Sequence, residues 1–383
     1  MTMNPTPKTV SHPLSTFYPS ILLLFLFHLS VNAQVISKDP RDLLTVGSES
    51  IVFQSEINKS EYKLYINLPD SYDSDPTKTY PVYYALDGYR IFDTTTRIYK
   101  GMWNDGFAPE TIIVGIDYSA SKDRPSLHRT KNLTPTTMEG RPTSGGAPLF
   151  LQVLHDEIIP MIDRLYRSDK VNRTLMGTSF AALFAQYVLF TQPSLCSNYI
   201  INNPTLWWDN EYPYQLEEAF YQKNKNLNTK VIFLSGEFDD VARVTKMVEQ
   251  IKGHDYSGMT LGFRVVENMG HLGGEAEAIN QGMRYVYKRP TVILPEAELR
   301  AYCGTYRDRE YTFEIAIKDG ELNLIHKWAP QGVKIQAINK TEFAVLGRYF
   351  DFHFNKNEEG DVIGFYTQGG TDSSRSRTAI KIN

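Results

Sequence analysis

Cysteine is nearly absent: the 383-residue chain holds two, Cys196 and Cys303, with no C-x-x-C spacing. Such scarcity argues against a disulfide framework or a zinc ribbon, and a free thiol is expected at each position. A dominant charge is lacking too. Forty Lys and Arg face 44 Asp and Glu, a net charge of −4, so no basic surface is expected to follow a nucleic acid backbone. The chain has no H-E-x-x-H, no carboxylate-rich calcium loop and no glycine loop that cradles phosphate, so no metal or organic cofactor is expected. The apolar run Ile21 to Phe27 is too short to span a bilayer as a mature helix. Hydrophobic residues at 42% and charged residues at 22% exclude global disorder.

What is present begins with an address. Lys8 and His12 precede the apolar run, and Val31-Asn32-Ala33 puts small residues where a signal peptidase reads. Residues 1–33 are therefore expected to be a signal peptide cleaved near Ala33, exporting a chain that begins at Gln34 to the periplasm or the extracellular space. Sequons begin at Asn58, Asn132, Asn172 and Asn339 and matter only in a glycosylating host. The remaining length suits one large domain and one small. Composition and period change near Arg289-Pro290, predicting an α/β domain over 34–290 and a small antiparallel β domain over 291–383.

The large domain is organised around Val171 to Phe190, VNRTLMGTSFAALFAQYVLF. This stretch reads as a strand, a tight turn at Ser179 and an apolar helix that Pro193 ends. A serine on such a turn stands above the sheet, and the Phe180 N–H behind it points to where a carbonyl oxygen would gain charge. Gly177 and Ala181 flank it as small residues. The segments IVFQSEI and YKLYINLP alternate as two antiparallel strands, and Tyr80 to Leu86 reads as a central strand apolar on both faces. Further strands are expected over Thr111–Ile116, Asn198–Ile201, Lys230–Ser235 and Thr260–Glu267. A long polar loop is expected over 119–146, then an amphipathic helix from Ala147 to Tyr166 kinked at Pro160. Beyond the boundary, Asp319-Gly320 lies between two alternating segments as a hairpin turn, and a second hairpin is centred on Gly360. A barrel or a sandwich fits this tail equally.

Three features fall at strand ends in the order serine, acid, histidine, the order of an α/β hydrolase. Ser179 would attack a carbonyl, His271 would take its proton, and an acid would hold the imidazole. The acid is expected at Asp239, three residues beyond Gly236, with its neighbour Glu237 or no acid at all as the alternatives; the cluster Glu237, Asp239, Asp240 also precedes a helix, which some of its members would cap. The second oxyanion donor is expected from Gly88 or Tyr89, although Asp87-Gly88 also suits a plain turn.

Taken together, YPVYYALDG, HRTKNLTP, SGGAPLF with HDEIIPMIDRLYR, GTSFAALFA, NPTLWWDN and FLSGEFDD with GH resemble the esterase family that includes esterase D and the ferric-siderophore esterases. That resemblance, over about Ser50 to Tyr287, implies an α/β-hydrolase fold and hydrolysis of carboxylic esters. It further implies that Arg129 binds a polar substrate group and that Trp207 and Trp208 line the substrate site. Ala181 and Ala182 stand where the family usually has glycines. From LRAYCGTY onward the tail resembles a small lipocalin-like domain and is expected beside the mouth of the site or against a partner. The expected protein is a secreted serine esterase that forms an acyl-enzyme on a small ester, such as a siderophore lactone or an acylated glycan. A catalytically idle binding scaffold and an acyltransferase on the same triad are the alternatives.

Overall fold

The computed structural model describes residues 34–35, 47–118, 125–345, 349–369 and 377–383, and the expected signal peptide lies outside them. Strands β1 (Gln34–Val35), β2 (Ser48–Gln54) and β3 (Glu61–Asn67) form an antiparallel edge. β4 (Tyr80–Leu86) is buried along almost its whole length, as its two apolar faces require, and pairs in parallel with β5 (Ile112–Asp117) and β6 (Ser168–Thr178). β7 (Asn198–Asn202), β8 (Lys230–Gly236) and β9 (Thr260–Val266) extend the parallel part, giving the order β1-β2-β3-β5-β4-β6-β7-β8-β9. This is the α/β-hydrolase sheet. All six parallel strands point the same way, so Ser179, Gly236 and Val266 end on one edge.

Helices cover both faces. α1 (Gly88–Asn104) follows β4, and α2 (Pro125–Leu133) occupies part of the segment expected as loop, with proline at its first position, where no amide is needed. The helix expected over 147–166 is broken differently from a simple kink: α3 (Ala147–Gln152) and α4 (Ile159–Leu165) flank a π-helical turn, Val153–Ile158. Pro160 has no N–H to donate back, and the wider turn just before it absorbs the missing bond. α5 (Phe180–Leu189) is buried at every residue but the first, because β6 and β7 lie beneath it and other helices beside it. α6 (Trp208–Tyr221), α7 (Val241–His254) and α8 (Glu275–Val286) complete the layers. Ile91, Phe92, Tyr99 and Met102 of α1 pack with Ile279 and Met283 of α8 against Tyr83, Ile113, Met176 and Ile232 of the sheet. Each such side chain contributes about 1.5–3 kcal/mol on burial.

The tail is a closed barrel, not a sandwich. After the short α9 (Glu296–Leu299) come β10 (Gly304–Arg307), β11 (Thr312–Lys318), β12 (Glu321–His326), β13 (Ala329–Ala337), β14 (Glu342–Val345), β15 (Phe350–Lys356), β16 (Val362–Gly369) and β17 (Thr378–Lys381). β17 pairs back on β10 and closes the ring, which removes every edge. Asp319 (φ 52°) and Gly320 (φ 76°) make the tight turn between β11 and β12. Tyr306, Phe343, Phe352, Phe354 and Phe365 fill the interior.

The barrel does not stand at the mouth of the site, one of the two places the sequence left open. Tyr349 donates its amide to Gly106 O, past the far end of α1, and its hydroxyl to Tyr287 O. Arg289 pairs with both Glu342 and Asp351. A cavity of about 760 Å³ between the two parts is lined by Pro81 at the start of β4 and by Asp351 and His353 of the barrel. These contacts all lie on the amino-terminal edge of the parallel strands, opposite Ser179. Among the described residues no helix is long and apolar enough to cross a membrane. Both thiols are free, and burial pushes that of Cys196 up to about 12. Asn132, one of the sequon asparagines, is buried against the hydroxyl of Tyr62 and closed to modification in the folded chain.

Candidate active site

Ser179 holds φ 63° and ψ −120° between β6 and α5, a conformation that costs a non-glycine residue about 1–3 kcal/mol and persists only where its surroundings impose it. Those surroundings are identifiable. The Ser179 amide donates to Asn202 O at 3.0 Å, and its carbonyl accepts from the Leu183 amide at 2.9 Å, the first turn of α5. Gly177 allows the fold-back, since a Cβ there would stand 2.3 Å from the backbone carbonyl of Ala181. The crowding of the elbow is thus concentrated at position 177, whereas Ala181 and Ala182 sit fully buried within a regular helix. Gly177→Ala should therefore cost about 1–3 kcal/mol through overpacking and remove turnover as the elbow shifts. A lower melting midpoint and a loss of serine labelling by a fluorophosphonate are the measurements.

The acidic cluster separates into three tasks. Asp240 accepts from the Arg243 amide at 3.3 Å and caps α7. Glu237 accepts the amide of Asn268 at 2.8 Å. Asp239 Oδ2 lies 2.7 Å from Nδ1 of His271, so of the two acids left open by the sequence it is Asp239 that the structure brings to the imidazole. The histidine loop is further stitched to the acid turn by the Phe238 amide on Met269 O at 2.9 Å and the Glu237 amide on Val266 O at 3.0 Å. The His271 side chain is 45% exposed.

Phe180, Gly88 and Tyr89 open α5 and α1, where a helix offers its first amides no internal acceptor. Gly88 has a packing reason beyond a turn, because a Cβ there would stand 2.6 Å from the backbone of Gly115 in β5. Asp87 just before it is completely buried at φ 60°. Its carboxylate accepts from Arg129 Nε at 2.8 and 3.0 Å and from Nη2 at 2.8 Å, and the same Nη2 donates to Thr178 O at 3.0 Å. Burial opposes the charge on Arg129, but Asp87 outweighs it and the guanidinium pKa is raised. Arg129, expected as a substrate contact, thus links the helix start at Gly88 to the strand end at Ser179. Burial, and then the charge of Asp87, pushes the Tyr89 phenol up.

The two tryptophans divide. Trp208 is fully buried, donates Nε1–H to Thr136 Oγ1 at 3.0 Å and meets the Phe180 ring edge-on at 5.4 Å. Trp207 is 43% exposed. Sequence reading missed Arg141, whose guanidinium lies 5.9 Å from the centre of the Phe180 ring; a lone arginine in a polar loop gives no local signal. Two groups with metal-ligand chemistry, Glu217-Glu218-His254 and Glu342-Asp351-His353, belong to other parts of the fold. Glu217 already accepts from Gln250 and Tyr256, and Arg289 pairs with both carboxylates of the second group.

Residues 55–253 match the family model described as "Putative esterase". Over 264 residues the chain is 25% identical to the ferri-bacillibactin esterase BesA of Bacillus subtilis, covering 62% of this chain and 89% of that protein. It is 30% identical over 151 residues to a siderophore triacetylfusarinine C esterase of Aspergillus fumigatus, covering 38% of this chain and 51% of that one. Among solved structures, the BES protein from Bacillus cereus superposes with a TM-score of 0.58 at 24% identity, over 66% of this chain and 98% of that one. The siderophore hydrolase EstB from Aspergillus nidulans gives 0.57 at 20% identity, over 65% and 97%.

Proposed function

Because the chain belongs to this esterase family, we propose that it hydrolyses a siderophore-type ester through an acyl-enzyme on Ser179, with His271 as base and Asp239 as its partner. The observation that carries the reading is the pair of fixed geometries on one sheet edge: a strained serine opening α5, and an imidazole held by Asp239. Ser179 Oγ would attack the ester carbonyl carbon while its proton passes to Nε2 of His271. Asp239 accepts the Nδ1–H, which selects the tautomer with a free Nε2 and stabilises the imidazolium. The carbonyl oxygen, now an anion, would receive the amides of Phe180 and of Gly88 or Tyr89. Collapse breaks the C–O bond, and the departing alkoxide takes the proton from His271. Water then repeats the sequence, and the acid leaves with Ser179 regenerated.

Substrate contacts fall to the side chains that remain open. Trp207 and the Phe180 ring would accept an aromatic or apolar part. Arg141 is exposed and has no carboxylate partner among the described residues, so it would take an anionic or strongly polar group. Arg129 and Trp208 support the site from behind. Both curated relatives described above carry siderophore esters in their names, which favours that substrate class over acylated glycans.

A panel of esters tests the class: a catecholate trilactone, a hydroxamate siderophore ester, a feruloyl ester and an acetylated sugar, each with the wild type and with Arg141→Gln. Siderophore esters are expected to give the highest kcat/KM, and Arg141→Gln to raise KM by about tenfold for anionic substrates alone, the effect of losing about 1.4 kcal/mol of uniform binding. A preference for the acetylated sugar, untouched by Arg141→Gln, overturns the substrate class.

The same reading makes the protein an exported one with an esterase domain at 34–290 and a β domain at 291–383. N-terminal sequencing of the exported protein is expected to read Gln34-Val35 first.

A further inference from the structure

We propose that Asn203 is the positioning residue for His271, fixing the imidazole relative to Ser179 through a carboxamide that ties the ends of β7 and β8 to the histidine loop; this rests on the catalytic reading above. Asn203 is 4% exposed and follows β7 directly. Both arms of its side chain are used: Nδ2 donates to the carbonyl of His271 at 2.8 Å, and Oδ1 accepts the amide of Gly236 at 2.8 Å. Its own amide donates to Leu234 O at 2.9 Å. The residue before it, Asn202, holds the Ser179 amide at 3.0 Å and places Nδ2 3.3 Å from Thr178 Oγ1. Two consecutive residues therefore carry the backbone of the nucleophile on one side and the backbone of the base on the other.

This arrangement specifies asparagine at 203. The backbone is at φ 44°, in the left-handed region where asparagine is the side chain that costs least after glycine. Glycine would keep the backbone and lose both bonds. Aspartate would keep the acceptor for Gly236 and put an anion against the carbonyl of His271. The stitch also has no slack at its second anchor, where a Cβ on Gly236 would stand 2.6 Å from the carbonyl oxygens of both Met269 and Gly270. Asp239 fixes how the ring is turned, while Asn203 fixes where the ring's backbone stands. A carboxylate acting on Nδ1 cannot correct a displacement of the whole loop, so the two residues do different work.

The test compares Asn203→Gly and Asn203→Asp with the wild type in the full chain, using a p-nitrophenyl ester and a fluorophosphonate. Both variants are expected to lower kcat by about 10- to 100-fold, as a displacement near 1 Å does, with KM within about threefold. The rate of Ser179 labelling is expected to fall by the same factor. In a His271→Ala background neither substitution should change the residual rate by more than about twofold, because its route to the chemistry is gone. A purely structural role predicts otherwise: a lowered melting midpoint with normal kcat per labelled site, or an equal loss with and without His271. Either result overturns the proposal. Should Asn203→Gly fail to fold, Asn203→Asp, which keeps the size and the Gly236 bond, decides it by the same readings. Turnover that survives in Ser179→Ala overturns the catalytic reading and this proposal with it; an inactive Ser179→Ala beside an unimpaired Asn203→Gly overturns this proposal alone.

Discussion

Ser179→Ala is expected to lower kcat toward the best ester by about three to six powers of ten while KM and the melting midpoint stay close to wild type. The size follows from chemistry that no neighbour can take over. Removing the hydroxyl leaves the oxyanion donors and the binding surfaces, so what survives is electrostatic assistance to direct attack by water. Stability is spared because the elbow is held by backbone bonds to Asn202 and Leu183 and by the room at Gly177, none of which uses the hydroxyl. The measurement is steady-state kinetics beside a thermal melt. A variant that keeps more than about a hundredth of the rate would place the nucleophile elsewhere.

Asp239→Asn should cost about three to four powers of ten in kcat. In the proposed mechanism the 2.7 Å contact between its carboxylate and Nδ1 of His271 keeps the proton on Nδ1 and leaves Nε2 free to take the proton of Ser179. An amide can present its NH2 group to Nδ1 instead, leaving the proton on Nε2, where it blocks the transfer. Glu237→Gln is the matching control, since its oxygen still accepts the amide of Asn268 and no change beyond about threefold is expected. A loss below tenfold in Asp239→Asn would move the supporting role to Glu237 or remove it.

The parallel strands were legible because the signal is local and strong. Tyr80–Leu86 is apolar at almost every position, and Lys230–Ser235 is closed by a glycine and an acidic turn. The serine elbow was legible for the same reason, as one strand, one turn and one helix in twenty residues. What escaped depends on contacts distant in sequence. Nothing around Arg129 announces that Asp87, 42 positions earlier, will occupy its guanidinium. Nothing around Asn203 announces His271, 68 positions later. The π-helical turn before Pro160 escaped because an amphipathic stripe sets a face, not the hydrogen-bond pattern within one turn. The tail gave its hairpins through Asp319-Gly320 and Gly360, but closure by β10 and β17 is a pairing between the two ends of the domain. The placement of the barrel on the amino-terminal edge rests on Tyr349 and Arg289, residues with no motif to mark them.

Labelling by a fluorophosphonate, read by peptide mass spectrometry in wild type and in His271→Ala, tests the central pairing of serine and imidazole most directly. The expected result is a single adduct on the peptide that carries Ser179 in the wild type, and almost none in His271→Ala over the same time. An adduct on another residue, or labelling of Ser179 at an unchanged rate without the imidazole, would contradict the account.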